Sequence, residues 1–183
     1  MRTMRPRLSF ADLERMPEDG RRYELYDGEL SEVPSPTLRH QRIVMNLMEA
    51  LREVERRTGG LVCISPIDLV LDAHNVVQPG VVYFLPDRAS ALDLSRPVRI
   101  RPDLAIEVLS PSTEATDRGR KLRLLARFGV PEYWLVDADS ETIEVHVLAR
   151  GSYERAVVGR PDETLTSRIL PALTFQVARV FAP

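Results

Sequence analysis

The chain has 183 residues, 44% of them hydrophobic and 28% charged, the balance of a globular domain long enough to bury its own core. With 25 basic and 27 acidic side chains the formal charge is −2, which excludes a histone-like polycation but leaves room for a local basic groove. A lone cysteine, Cys63, excludes a disulfide framework and a multi-cysteine zinc site. No apolar run approaches a membrane span and no secretory leader stands out, so a single domain over residues 1–183, in the reducing cytoplasm and away from membranes, is expected.

Residues 1–8, rich in arginine, read as a frayed arm. Ser9 then caps a short helix, Phe10 to Met16, that Pro17 stops. From Arg22 to Val33 alternating apolar residues flank Asp27-Gly28, a hairpin signal. Thr37 opens a long helix in which Ile43, Val44, Leu47, Met48, Leu51 and Val54 form one apolar stripe, closed by Gly59-Gly60. Short strands follow at Leu61–Ile64, Ile67–Leu71 and Val81–Leu85, with a turn at Asp72–Asn75. Pro86 to Arg101 shows no period and reads as a loop. After a strand at Leu104–Leu109 comes a basic helix, Thr113 to Phe128, ended by Gly129. Strands at Tyr133–Val136, Thr142–Leu148 and Tyr153–Val158 complete a meander, and the tail from Leu165 to Phe181 is short mixed structure. The order predicts an α/β (α+β) protein around a mixed sheet.

Two features suggest chemistry. The strand period of two puts Asp103, Ala105 and Glu107 on one face of their strand, with a small residue between two carboxylates. Unpaired carboxylates beside an apolar sheet are costly, and a cation is one remedy; an arginine partner for Glu107 and a capping role for Asp103 are the other. The second feature is compositional: the 25 basic residues are 24 arginines and one lysine, Lys121. Codon bias explains this blandly, yet a lysine is a compact point charge where arginine is a planar fork. The helix that carries Lys121 also carries Arg118, Arg120 and Arg123, which read either as DNA phosphate contacts or as a solvated face. His74 and His146 carry no spacing signal, and Tyr133-Trp134 reads as core.

Taken in order, Tyr23-Glu24-Leu25, Asp27-Gly28-Glu29-Leu30, Pro34-Ser35-Pro36, His40-Gln41, Val76-Val77-Gln78-Pro79, Pro102 to Thr113, Asp117, Lys121 and Gly129 to Asp137 resemble the Uma-type restriction endonuclease family within the PD-(D/E)XK nucleases. The resemblance spans residues 9–181. It implies a restriction-endonuclease-like fold, a central mixed sheet flanked by helices, and Mg²⁺- or Mn²⁺-dependent hydrolysis of DNA without a nucleotide cofactor. It also implies metal ligation and catalysis at Glu107, with Lys121 supplying the lysine that orients or activates the attacking water. The usual metal-binding aspartate is missing: Gln78-Pro79-Gly80 stands where the family has Gln-Pro-Asp. Asp103, on the face of Glu107, is the expected substitute as metal ligand and catalytic residue, with Asp68 or Glu29 as further options. Glu29, His40, Gln78, Gly80 and Ser110 are the candidates for lining the site. Cutting both strands suggests a homodimer. A protein that binds nucleic acid or a protein partner without cleaving it is the alternative that Gly80 leaves open.

Overall fold

The computed structural model describes residues 7–183. Residues 1–6 of the expected arm lie outside the described residues, while Arg7 and Leu8 are held in place: the Leu8 amide donates to the Gly28 carbonyl at 2.9 Å and Arg7 Nε to the Asp27 carbonyl at 2.9 Å. Ser9 caps α1 (Phe10–Leu13), which ends three residues earlier than expected because the chain tightens into a turn before Pro17. The hairpin forms as read, β1 (Arg22–Tyr26) against β2 (Glu29–Val33), with Asp27 and Gly28 at φ 51° and 81°. Positive φ at both positions is the turn that suits the twist of a two-residue hairpin.

Thr37 caps α2 (Leu38–Thr58), accepting the His40 amide, and Gly59 closes it at φ 77°. The chain then alternates between two sheets. β3 (Leu61–Ile64) and β6 (Val81–Phe84) join the large one; β4 (Leu69–Asp72) and β5 (Asn75–Val77) join the hairpin. The small sheet has the order β2-β1-β5-β4. Its strand β5 is too short for any period and was not anticipated from sequence. The expected loop at 86–101 contains α3 (Pro86–Ala89), with proline at the helix start, and its residue Val98 bridges back to Leu69.

The six-stranded sheet runs β10-β9-β8-β7-β6-β3 and is mixed: β7 (Leu104–Val108) pairs parallel with β8 (Glu132–Asp137), while its other pairings are antiparallel. A parallel neighbour requires a crossover. Here it is α4 (Glu114–Thr116), a single π-helical segment over Asp117–Lys121, and α5 (Leu122–Arg127). The uniform basic helix expected over 113–128 is therefore interrupted, with Gly119 inside the wider turn. β9 (Thr142–Ala149) and β10 (Ser152–Gly159) finish the meander, with a bulge at Arg155/Val157. β11 (Thr164–Thr166), β12 (Thr174–Gln176) and α6 (Ala178–Phe181) make up the tail.

Both faces of β7 are covered, and the period of two sorts its residues. Leu104, Ile106 and Val108 pack with Ile43, Leu47 and Leu51 of α2, Trp134 and Val136. Ala105 packs on the opposite side with Leu124, Leu125, Tyr133 and Leu135. Glu107 shares the face of Ala105, beside Leu135 of that apolar patch. This places a carboxylate under the crossover, beside the small sheet.

Candidate active site

The carboxylate of Glu107 does not stand alone there. Lys121 Nζ lies 2.7 Å from Glu107 Oε1, 2.9 Å from Glu24 Oε1 and 3.4 Å from Asp117 Oδ1. All four residues are buried: Glu24 is 4% exposed, Glu107 7%, Asp117 2% and Lys121 4%. Three different pieces of chain meet at this point. Glu24 comes from β1 of the small sheet, Glu107 from the centre of the large one, and Asp117 and Lys121 from the two ends of the π segment. A π turn widens the helix locally and is common where side chains must be re-aimed; here it turns both Asp117 and Lys121 inward.

The electrostatics follow from three carboxylates sharing one ammonium. Burial pushes the Glu107 carboxyl up to about 8, against the pull of Lys121 and with Asp117 and Glu24 adding to the rise. Asp117 is raised for the same leading reason, its burial. Glu24 is lowered: burial would raise it, but Lys121, the Gln78 amide and the Tyr26 hydroxyl outweigh that. The Gln78 amide donates to Glu24 Oε1 at 2.7 Å and the Tyr26 hydroxyl to Glu24 Oε2 at 2.7 Å. Lys121 is held well above its ordinary value; burial opposes this, and Glu107 and Glu24 prevail. One lysine thus stays charged beside an ionised Glu24, while Glu107 and Asp117 are drawn toward their protonated forms.

This cluster forms the floor of a cleft of about 730 Å³. The start of α2 with Arg39 and His40 makes one wall, the segment Ser110–Asp117 another, and Arg22, Gln78 and Gly80 also line it. Gly80 adjoins Glu107: its amide donates to Glu107 Oε2 at 3.3 Å, and a Cβ at position 80 would lie 3.7 Å from that oxygen and 3.2 Å from the Ile106 carbonyl. Gln78 Nε2 donates to Asp68 Oδ1 at 2.9 Å, while Gln78 Oε1 is buried without a partner among the described residues. His40 is held low by burial and by Arg22, so its ring is neutral at pH 7. Among the described residues no group of three or more His, Cys, Asp or Glu side chains forms a ready metal cage.

Other expected residues lie elsewhere. Asp103 is four residues from Glu107 on the same strand face, roughly 13 Å away at about 3.3 Å per residue. It accepts the Leu85 amide at 2.8 Å and pairs with Arg88 of α3. Of the two carboxylates expected on that face Lys121 meets Glu107 alone, because Asp103 lies just before β7 and Glu107 near its far end. Asp103→Asn should lower stability by about 1–3 kcal/mol through the lost charge-assisted bonds and leave divalent-cation binding unchanged, as thermal melts and calorimetry will show. Glu29 is exposed and pairs with Arg120 at 2.9 Å. Arg120 also lies over the Tyr26 ring, 4.8 Å from its centroid. Arg118 bridges Glu114 and Glu144, both at 2.8 Å. None of Glu29, Arg118, Arg120 and Arg123 is among the cleft-lining residues. Glu24 and Asp117 are the site members that strand and helix spacing alone did not single out. Asp117 had a signal, its position four residues before Lys121.

Over residues 10–178 the sequence matches the family described as "Uma2: Putative restriction endonuclease". The chain belongs to that family. Its fold is shared with the crystal structure of a "putative nuclease belonging to DUF820" from Anabaena variabilis, at a TM-score of 0.78 and 19% identity, covering 95% of this chain and 97% of that one. No curated protein matches the sequence. Among the described residues no helix is long and apolar enough to cross a membrane.

Proposed function

We propose that this Uma2-family chain is a divalent-cation-dependent nuclease that hydrolyses DNA phosphodiester bonds in the cleft above Glu107. The observation that carries the reading is the buried Glu107–Lys121 pair at 2.7 Å on the floor of an open cleft. A structural ion pair has no need of a cleft, and burying charge for stability alone is a poor bargain.

The residues suit Mg²⁺ or Mn²⁺ in donor chemistry. They offer hard oxygen ligands, among them a buried Gln78 Oε1 that lacks a partner among the described residues. Mg²⁺ is commonly held by one or two carboxylates together with substrate phosphate and water rather than by an all-protein cage. Glu107 would hold it, through Oε2, which faces Gly80. When bound, the ion would polarise a phosphoryl oxygen and lower the pKa of a coordinated water.

The chain's own residues prepare that place. An ammonium has three N–H groups, and three carboxylates surround that of Lys121. All three lie within ion-pair distance of it, so Lys121 acts as a positioning residue that orients Glu107 and draws its pKa down against the effect of burial. Tyr26 and the Gln78 amide fix Glu24, which in turn holds Lys121. Gly80 contributes no ligand, which makes the cation site weak.

Plasmid nicking over a Mg²⁺ and Mn²⁺ titration tests the reading, with Glu107→Ala as control. Nicking that rises with metal and vanishes in Glu107→Ala is the expected result; nicking that survives Glu107→Ala would overturn it. Gly80 favours a second reading, a member that binds without cleaving. An inert wild type alongside an active Gly80→Asp would select it.

A further inference from the structure

We propose that Arg22 is a substrate-binding residue of this cleft, a fixed guanidinium that holds a phosphate of the DNA strand beside the Glu107 site; the proposal rests on the nuclease reading and adds a phosphate contact to it.

A phosphodiester strand brings negative charge into the cleft, and a cation must meet it. Among the described residues three permanent cations line the cleft: Arg22, Arg39 and Lys121. Lys121 is shared by Glu24, Glu107 and Asp117. Arg39 reaches Glu141 Oε1 at 3.3 Å and Asp139 Oδ1 at 3.7 Å. Arg22 is bonded to no carboxylate among the described residues: its Nη1 donates to Ser65 Oγ at 3.1 Å and its Nη2 to the Pro34 carbonyl at 2.9 Å. Both acceptors are neutral, so they fix the guanidinium and leave its charge uncompensated. A guanidinium carries five N–H groups, and these two bonds leave the others for a ligand. The basic residues of the crossover do not serve instead, since Arg118, Arg120 and Arg123 do not line the cleft.

The carboxylates of the walls do not cancel this charge, because they are answered elsewhere. Glu32 pairs with Arg21 at 3.3 Å, Glu114 with Arg118 at 2.8 Å and Asp139 with Arg39. Asp137 accepts the Asp139 and Ser140 amides at 2.9 and 3.3 Å. His40, also on the wall, feels the uncancelled cation: after burial, Arg22 is what holds its pKa low.

Placement is the second ground. Residues two apart on a strand share a face, so Arg22 projects on the same side of β1 as Glu24, and their cross-strand partners Val33 and Ser31 line the cleft with them. Two residues span about 7 Å, over which β1 passes from a half-buried Arg22 to a buried Glu24. Arg22 therefore stands one step up the wall from the carboxylate that shares Lys121 with Glu107. Its side chain is already tied down, so little rotamer freedom is lost when a phosphate arrives.

Fluorescence anisotropy on the wild-type chain in Ca²⁺, with a labelled duplex of about 20 base pairs and salt varied from about 50 to 200 mM, tests the proposal. Arg22→Gln should bind about tenfold more weakly, the scale of one charge-assisted bond, with a slope of log affinity against log salt shallower by about 0.9. Arg22→Lys should keep the slope, and calorimetry should find Mn²⁺ affinity unchanged in both. Arg96→Gln, which removes an exposed arginine outside the cleft, should match the wild type. A slope that Arg22→Gln leaves unaltered overturns the proposal, as does an equal fall in Arg22→Lys or Arg96→Gln. Lost Mn²⁺ affinity in Arg22→Gln overturns it too, since the arginine would then be holding the cleft together. Wild-type chain that binds Mn²⁺ but no DNA overturns the nuclease reading itself, and this proposal with it.

Discussion

Lys121→Met should cost about 3–5 kcal/mol of stability at pH 8, the range for removing one partner of a buried ion pair, and distinctly less at pH 5. The variant leaves Glu24, Glu107 and Asp117 buried without a countercharge. Even with Lys121 present, burial lifts the Glu107 carboxyl from 4.5 to about 8, and removing the ammonium lifts it further. A group whose folded pKa lies above its unfolded value binds protons more tightly when folded. Its contribution is therefore present below the unfolded value and lost as pH rises through the folded one. The window is 4.5 to about 8 and upward, so the loss deepens between the two measurements. Glu24 works the other way in the wild type: its lowered pKa stabilises above 4.5, and that gain disappears together with Lys121. Urea midpoints of wild type and variant at pH 5 and pH 8 check this. Equal losses at both would mean that the cluster is not held by charge.

Gly80→Asp should raise affinity for Mg²⁺ or Mn²⁺ at least tenfold, about 1.4 kcal/mol, and speed DNA nicking in parallel. Position 80 is where the cleft lacks a carboxylate beside Glu107: a Cβ there would sit 3.7 Å from Glu107 Oε2, so a carboxylate one bond further extends into the same space. The fit is close, since the Ile106 carbonyl would lie 3.2 Å from that Cβ and must yield by a few tenths of an ångström. The new carboxylate joins three others that share one ammonium, so the variant should be less stable without metal and gain more from it. Calorimetric titration reads the affinity, and melting with and without Mn²⁺ reads the linkage. Unchanged affinity would mean that position 80 does not face the cation.

Much of this was legible in the residues because the signals were local. Asp27-Gly28 specified its turn, Thr37 and Gly59 bounded α2, and the apolar stripe of α2 packs where the spacing puts it. β7 was readable to within one residue, and its period sorted the apolar face from the face of Glu107. Lys121 stood out because it is the only lysine. What period could not convey was distance along the strand: Asp103 lies just before β7 and Glu107 near its far end, each with its own cation, Arg88 or Lys121. Glu24 escaped because its cation, Lys121, lies 97 residues away, and only packing of one sheet against another brings them together. The π segment escaped because it differs from an α-helix by a single wider turn, which the sequence marks only with Gly119.

The central claim, that Glu107 and its neighbours form a cation site in an open cleft, is tested most directly by soaking crystals of the wild-type chain in Mn²⁺ and recording anomalous scattering. The account predicts a peak at coordination distance from Glu107 Oε2, in the space beside Gly80, that disappears in Glu107→Ala crystals. A peak elsewhere, or no peak at Mn²⁺ concentrations that support nicking, would contradict it.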